Sequence, residues 1–397
     1  MMSDEKLKVL YLPRWYPNRF DPMPGLFIQR HAEAANIYSD IFVVYVHTLE
    51  YQKDIVKYEI ESALINHVPT VKVYYRNPRI NIPIVTSIIK AFRFYRANFI
   101  GIKEIKKTTV DFDILHIHVL TRLGVLGLYY KWLLGKKYFI SEHWSRYLDL
   151  TGNFKGSFRK FATRIIVKNA MAVTTVTKNL SNAMQNHDLV NSNYIVLPNV
   201  VSPEFVKRTE TKKDIGDKKT IVHVSCFEDK SKNISGILNV INKLAESRND
   251  FHFILIGDGM DFERLKEYSL KLGLSEEQIE FTGLLEGGTL VNKMMLADAL
   301  LIFSNYENFP VVINEAFSLG IPVIATRVGG IPENVNTENG LLIDAGDEDA
   351  LCQKLNEFLD DKILFDKKAI KKTALNNFSM ETVGKQLFDI YSATSNQ

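Results

Sequence analysis

The sequence predicts an α/β protein built from two doubly wound, Rossmann-like domains. Three observations carry this. Apolar runs of strand length alternate with segments of helical period, the alternation starts afresh after about residue 200, and 397 residues exceed what one core usually organises.

Taken in order, "KVLYLP", "IFVVYVHT", "FDILHIHV", "KYFISEH" and "MAVTTVT" read as strands, with amphipathic stretches between several of them. That pattern belongs to βα units on a parallel sheet. "YIVLPNVVSPEF", Tyr194 to Phe205, follows, with a joint near Pro198 to Pro203. The second series is "TIVHVSCF", "FHFILIGDG", "IEFTGLL", "ALLIFSN", "PVIAT" and "GLLI". The domains are expected at 1–200 and 201–378. From its residues alone the last helix, "METVGKQLFDIYSA", suits either half.

Composition narrows the function. With 46% hydrophobic and 24% charged residues the chain reads as an ordinary globular protein, and 49 Lys plus Arg against 46 Asp plus Glu leave +3. So small an excess argues against a nucleic-acid partner. Two cysteines, Cys226 and Cys352, make neither a disulfide framework nor a zinc set, which points to a reducing compartment and the cytoplasm. The first apolar run stops at Pro13, short of a secretory segment, and Leu123 to Gly135 is broken by Lys131, short of the roughly 20 residues of a membrane span.

Ligands of doubly wound sheets sit beyond the carboxyl ends of the strands. There, "ENFPVVINEAFSLGIPVIATRVGGIPE" runs from Glu307 to Glu333. "YENFP" reads as a strand's exit loop and "VVINEAFSLG" as a helix, with Pro310 where a missing N–H does no harm and Gly320 as its stop. Glu307 then lies at the mouth of the sheet and Glu315 inside the helix, so two carboxylates face one ligand from different heights. They suit sugar hydroxyls, and the helix amides suit a phosphate. Such a pair is common by chance; the second strand and glycine loop that follow give it meaning.

The stretch from about Ser304 to Val335 resembles the donor-site signature of family 4 (group 1) glycosyltransferases, retaining enzymes of the GT-B fold that use nucleotide sugars. The resemblance extends further. "YPNRFDPMPGLFIQRHAEAA" is similar to the family's first glycine loop and helix, "DILHIH" to its acceptor-domain strand, "VLPNVVSP" to its linker, and "FSMETVGKQLFDIY" to its last helix. In that fold the last helix, here about 379–394, returns to the first domain. The resemblance implies that Glu307 faces the transferred sugar and Glu315 the ribose, with Asn308, Phe309 and Val311 also at the donor. Many relatives carry glycine at Asn308 and Pro310, and proline removes one amide donor.

"VHVSCFEDKSKNISGILNVINKLAE" places Lys232 just before a helix near Ile234, where cation and amides together neutralise a pyrophosphate. Alone it is an ordinary loop lysine; the family frame makes it functional. Relatives commonly carry arginine where this chain has Cys226, which leaves the phosphate to Lys232, with Lys230 as a substitute. "FILIGDGMDFERL" fails as a dinucleotide fingerprint because Phe262 replaces the third glycine. Gly257 and Gly259 instead suit a backbone approach to a nucleotide, and the resemblance puts Gly283 and Leu284 beside the base.

In the first half, Gly25 marks a loop entering a helix, read either as an anion or sugar contact or as a plain turn. His116 and His118 share one strand face, but no third metal ligand is evident and a polar strand end explains both. His143, in "FISEHWSR", matches the family histidine beside the acceptor hydroxyl. "DFD" and "DED" read as strand-start and N-cap chemistry rather than ion sites, so no metal or other cofactor is expected. Residues 87–107 mix Lys and Arg with Phe and Tyr, which fits either an anionic lipid surface or a core-packed helix with a basic outer face.

The resemblance thus implies transfer of a sugar, with retention, from a UDP- or GDP-sugar to a saccharide or lipid-linked acceptor in cell-surface polysaccharide or glycoconjugate synthesis, at the inner face of the membrane. His143, Glu307 and Lys232 are the catalytic candidates. The rivals are a nucleotide-sugar epimerase of the same architecture, and a two-lobed binder that has lost catalysis, which Cys226 keeps open.

Overall fold

The computed structural model describes residues 6–49, 57–77, 82–109, 111–120, 122–148, 151–207 and 218–395. Its contacts divide the chain into two units. The first is Met1–Val176, Ser181–Val200 and Met380–Gln397; the second is Thr177–Leu180 and Val201–Ser379.

The first unit contains β1 (Lys8–Pro13), α1 (Leu26–Ala35), β2 (Asp40–Leu49), β3 (Tyr58–Ile65), β4 (Val68–Arg76), α2 (Pro83–Ile105), β5 (Ile114–His118), α3 (Leu123–Leu134), β6 (Lys137–Glu142), α4 (Ser157–Asn169), β7 (Val173–Thr175), most of α5 (Lys178–Asn186) and β8 (Tyr194–Val196). Among the described residues the strands form one sheet in the order β3-β4-β2-β1-β5-β6-β7-β8. All neighbours pair in parallel except β3 with β4. That pair departs from the parallel sheet read in the sequence. Its turn residues Asn66 and His67 both have positive φ, the two-residue hairpin geometry that asparagine tolerates well. β8 likewise lies within the stretch read as a joint. The C-terminal helix, Met380–Ser395, packs on α1: a Cβ on Gly384 would stand 2.2 Å from the Ala34 carbonyl oxygen, so glycine permits the close approach. Its Val383, Leu387 and Tyr391 join Val9, Tyr11 and Phe139 in the core.

The second unit contains α6 (Pro203–Val206), β9 (Lys219–Val224), α7 (Asp229–Lys232), α8 (Ile234–Ala245), β10 (Phe251–Ile256), α9 (Phe262–Lys271), β11 (Ile279–Gly283), α10 (Gly287–Met294), β12 (Ala299–Ile302), α11 (Val311–Ser318), β13 (Val323–Thr326), β14 (Gly340–Ile343), α12 (Glu348–Leu359) and α13 (Lys367–Phe378). Its sheet, β11-β10-β9-β12-β13-β14, is parallel throughout the described residues. α8 buries Ile234, Ile237, Leu238, Ile241 and Leu244, the spacing of one helical face, against strand residues such as Phe253 and Leu301. The strand order reverses between β9 and β12, and that is where a doubly wound sheet opens a crevice.

Candidate functional site

The two strands flanking that reversal deliver the second unit's polar cluster. Beyond β9 the chain turns through α7, and Asn233, in the left-handed region at φ 51°, passes it into α8. Lys232 therefore stands at the start of α8. Beyond β12, Ser304 and Glu307 come back toward it: Lys232 Nζ lies 2.5 Å from Glu307 Oε1, and Ser304 Oγ donates to the same oxygen at 2.9 Å. The side chains of Lys232 and Glu307 are only 16% and 10% exposed. Burial pulls the lysine pKa down, but the charge and hydrogen bond of Glu307 outweigh it, with help from Cys226 and Glu228, so the net shift is upward. The lysine is a fixed cation.

Backbone contacts hold this cluster in place. Asn305 N donates to the Ser231 carbonyl and its Nδ2 to the Lys230 carbonyl, tying the exit loop of β12 to α7. Thr326 Oγ1 donates to the Ser304 carbonyl at 2.7 Å. Gly330 N donates to the Asn308 carbonyl, and a Cβ on Gly329, at φ 56°, would stand 1.9 Å from the Glu307 oxygen. The glycine pair of "RVGGIPE" thus lets one loop lie directly against the backbone that carries Glu307. Behind them, His223 donates Nδ1–H to the Leu301 carbonyl, which leaves Nε2 to accept from Ser225; burial holds its pKa down at about 4, so the ring is neutral.

The other donor-side candidates fall around this centre. Pro310 caps α11, Val311 is its first residue, Phe309 is buried, and Glu315 is 6% exposed within the helix. Asn308 Oδ1 accepts from Thr177 Oγ1. Lys230 is exposed on α7, and the ion pair with Glu307 is made by Lys232. Gly257 approaches backbone, but the backbone is the protein's own: a Cβ there would stand 1.9 Å from the Ser225 oxygen. Gly283, at φ 72°, faces open space and its carbonyl accepts from Gly257 N, while Leu284 is half exposed. Asp347 caps α12 through its side chain and Asp113 accepts from Lys8 N, the helix and strand roles read for "DED" and "DFD".

In the first unit His143 follows β6 and packs into a histidine cluster. Its ring centroid lies 4.6 Å from Phe27, 5.5 Å from His31 and 5.9 Å from His118. Burial, then the nearby His31 and His116, holds its pKa well below the ordinary range. Burial likewise takes His31 down to about 4 and His116 to about 3. His116 bonds Tyr391 Oη and Ser141 Oγ, each at 2.7 Å, so its ring nitrogens are spent on structure. Among the described residues no group of three or more His, Cys, Asp or Glu is arranged to hold a metal ion. Gly25, the N-cap of α1 at φ 75°, sits where a Cβ would be 2.2 Å from the Trp15 oxygen.

Sequence reasoning missed Glu142, the last residue of β6. This fully buried carboxylate accepts from Leu120 N, His143 N and Trp144 N at 2.9 to 3.0 Å. Burial outweighs those bonds and lifts its pKa to about 7. The one available signal was an acid ending an otherwise apolar strand. The helix at 87–107 divides: Ala97, Gly101, Ile102 and Ile105 of α2 are buried, whereas Ile84, Ile88 and Phe92 are exposed. No helix among the described residues is long and apolar enough to cross a membrane.

Comparison with known proteins joins these observations. The family described as "Glycosyltransferase Family 4" matches residues 41–205 and that described as "Glycosyl transferases group 1" matches 206–375. The chain is 26% identical over 294 residues to N-acetyl-alpha-D-glucosaminyl L-malate synthase of Bacillus anthracis, covering 71% of this chain and 74% of that one. It is 28% identical over 254 residues to an uncharacterized glycosyltransferase of Methanocaldococcus jannaschii, covering 64% and 67%. In fold it is similar to HepE of Anabaena, solved in complex with UDP, with a TM-score of 0.69 at 17% identity over 98% of this chain and 100% of that one.

Proposed function

Because the chain belongs to the family 4, group 1 glycosyltransferases, enzymes of the GT-B fold, we propose that its second unit binds a UDP- or GDP-sugar and its first unit the saccharide or lipid-linked acceptor that receives the sugar. The observation that supports this most is the Lys232–Glu307 pair at the strand-order reversal. A cation held beside a carboxylate, next to the starts of α8 and α11, offers one group for an anion and one for hydroxyls, which together describe a sugar joined to a diphosphate. A UDP complex is known for the similar fold of HepE, and UDP is the nucleotide of one of the two donors in this reading.

In the proposed reaction the bond from the anomeric carbon to the diphosphate oxygen breaks while the acceptor hydroxyl oxygen bonds that carbon on the same face. The hydroxyl proton passes to the departing phosphate oxygen. Charge grows on the diphosphate as it leaves, so Lys232 and the helix amides act most strongly in the transition state. Glu307 orients Lys232 and takes hydrogen bonds from the sugar; Glu315 takes those of the ribose. Lys232 supplies the positive charge, so the reading assigns no step to a metal. Retention, the cytoplasmic setting at the inner membrane face and a role in cell-surface polysaccharide or glycoconjugate synthesis belong to the same proposal. The exposed Ile84, Ile88 and Phe92 of α2, beside Lys90 and Arg93, support the membrane part.

The test is a thermal-shift screen of UDP- and GDP-sugars, followed by diphosphate release with saccharide and lipid-linked acceptors, with and without EDTA. Acceptor-dependent release that survives EDTA and falls in Lys232→Ala and Glu307→Ala is the expected result. Equal transfer by both variants contradicts the site, and conversion of the donor without an acceptor identifies an epimerase.

A further inference from the structure

At the carboxyl end of the first unit's sheet lies a cavity of about 560 Å³. Pro13 of β1, Thr48 of β2 and Asn77, just after β4, contribute to it; Lys90 and Phe94 come from α2, and Arg122 from the start of α3. Its charge is unbalanced. Among the described residues Arg14, Lys90 and Arg122 line it against one carboxylate, Asp21.

Several cations elsewhere in this unit are paired: Arg19 with Glu59, Lys106 and Lys136 with Asp111, Arg164 with Asp188. Among the described residues Arg14, Lys90 and Arg122 form no such ion pair. Arg14 instead holds its guanidinium 4.7 Å from the Trp144 ring and 5.7 Å from the Trp15 ring, so aromatic contacts, rather than a direct ion pair, hold it. Arg122 is the N-cap of α3, where a positive side chain works against the helix's own field. Both positions cost the fold something, and an anion in the cavity would offset each of them. Burial comes first in pulling the Arg14 pKa down, followed by the charge of Arg146; the charge of Glu142 opposes them and that of Arg122 adds to them, and the net direction is downward. Asn77 Oδ1, also at the cavity, is buried without a hydrogen-bond partner, an acceptor that a ligand hydroxyl would satisfy.

We propose that this cavity holds the acceptor through an anionic group, a phosphate ester or carboxylate gripped by Arg14, Lys90 and Arg122, with a hydroxyl of the same molecule on Asn77. This rests on the reading of the first unit as the acceptor side. It adds the acceptor's chemical class: a neutral sugar leaves three cations unanswered, whereas an anionic one pairs them. A soluble phosphate ester and the headgroup of a phospholipid share the required chemistry.

Tryptophan fluorescence is the local readout, because Trp15 and Trp144 flank Arg14. The full-length protein is titrated with glycerol 3-phosphate, with glycerol, and with phosphatidylcholine vesicles lacking or containing phosphatidic acid. Three proteins are compared: wild type, Lys232→Ala, which disables the second unit's phosphate site, and the double variant Lys90→Gln/Arg122→Gln. We expect a salt-sensitive response to the phosphate ester or the phosphatidic acid vesicles in the first two proteins, at least tenfold weaker in the third, and none to glycerol. A response to glycerol 3-phosphate identifies a soluble-type acceptor; a response to phosphatidic acid vesicles alone identifies a lipid headgroup. The proposal falls if neither phosphate probe responds, if glycerol responds equally, or if the double variant retains the response. A UDP-glucose thermal shift on the same proteins separates the two readings: its absence in wild type sinks the donor assignment and leaves this site standing, while a normal shift with no anion response does the reverse.

Discussion

Replacing Lys232 with methionine removes the cation and keeps most of the side-chain volume, which isolates charge from packing. Two unit charges 2.5 Å apart attract by about 7 kcal/mol at an effective dielectric of about 20, but desolvation of both partners consumes most of that. The net cost of breaking a buried pair by removing one partner is about 3–5 kcal/mol. Here the lower end applies, since Glu307 keeps the Ser304 hydroxyl and some exposure. Lys232→Met is therefore expected to lose about 3 kcal/mol, whereas Lys232→Met/Glu307→Gln, with no charge left stranded, recovers at least half of it. Activity separates from stability: each variant, the double included, is expected to lose about 100- to 1000-fold in kcat, as when one transition-state donor is removed. Calorimetry supplies the stability arm, because Trp15, Trp132 and Trp144 all lie in the first unit and fluorescence does not report the second. A methionine variant that loses under 0.5 kcal/mol, or a double variant that regains activity along with stability, refutes the reasoning.

Three further outcomes are expected. Gly329→Ala places a Cβ at positive φ and 1.9 Å from the Glu307 oxygen, so it should lose at least about 2 kcal/mol by calorimetry and weaken the UDP-glucose thermal shift, the wild-type shift being the result that contradicts it. Acid should unfold the first unit: His31, His116, His118 and His143 have depressed folded pKa values, so the unfolded chain binds more protons below about 6.5 and stability falls as pH drops from there. At pH 5 the four histidines together contribute about 7 kcal/mol of loss, Glu142 with its raised value of about 7 returns about 2, and the net, about 5 kcal/mol relative to pH 7, is read by urea denaturation followed through tryptophan fluorescence. Vesicles of phosphatidylcholine with phosphatidylglycerol should sediment the wild type and not Ile88→Ser/Phe92→Ser, since burying those two side chains in lipid yields about 1.5–3 kcal/mol each; equal sedimentation assigns α2 no membrane role.

Eleven strands were legible because each carries its own apolar run, and the helix holding Glu315 because proline and glycine bracket it. The Lys232–Glu307 contact was not: it joins residues 75 apart in sequence, and no local pattern states that β12 lies beside β9. The two glutamates were read together and the lysine apart from them, and only strand adjacency pairs Lys232 with Glu307. The hairpin of β3 and β4 escaped because "ESALINHVPT" lacks the glycine that usually marks a tight turn, leaving Asn66 as its one cue. Glu142 escaped for a different reason. A carboxylate with three backbone donors looks, in sequence, like any strand-end acid, and only burial makes it unusual.

The first unit also bears on where the acceptor's proton goes. A general base works best with a pKa near the working pH, and His143, pressed down by burial and by two neighbouring histidines, lies far below it. Neutral throughout pH 6 to 8, it is a poor destination for a proton, and in the proposed reaction it only exchanges hydrogen bonds with the acceptor hydroxyl. Glu142, near 7, has the right strength, yet its two oxygens are already engaged by three backbone N–H groups. In the proposed reaction the departing diphosphate takes the part of the base, and its basicity rises as the sugar bond breaks. Two consequences follow: His143→Asn should raise KM for the acceptor more than it lowers kcat, and kcat should vary less than threefold between pH 6 and 8. A kcat profile that instead rises tenfold on an ionisation near 7, and loses that ionisation in Glu142→Gln, would give the proton to Glu142 and remove the leaving group from the role.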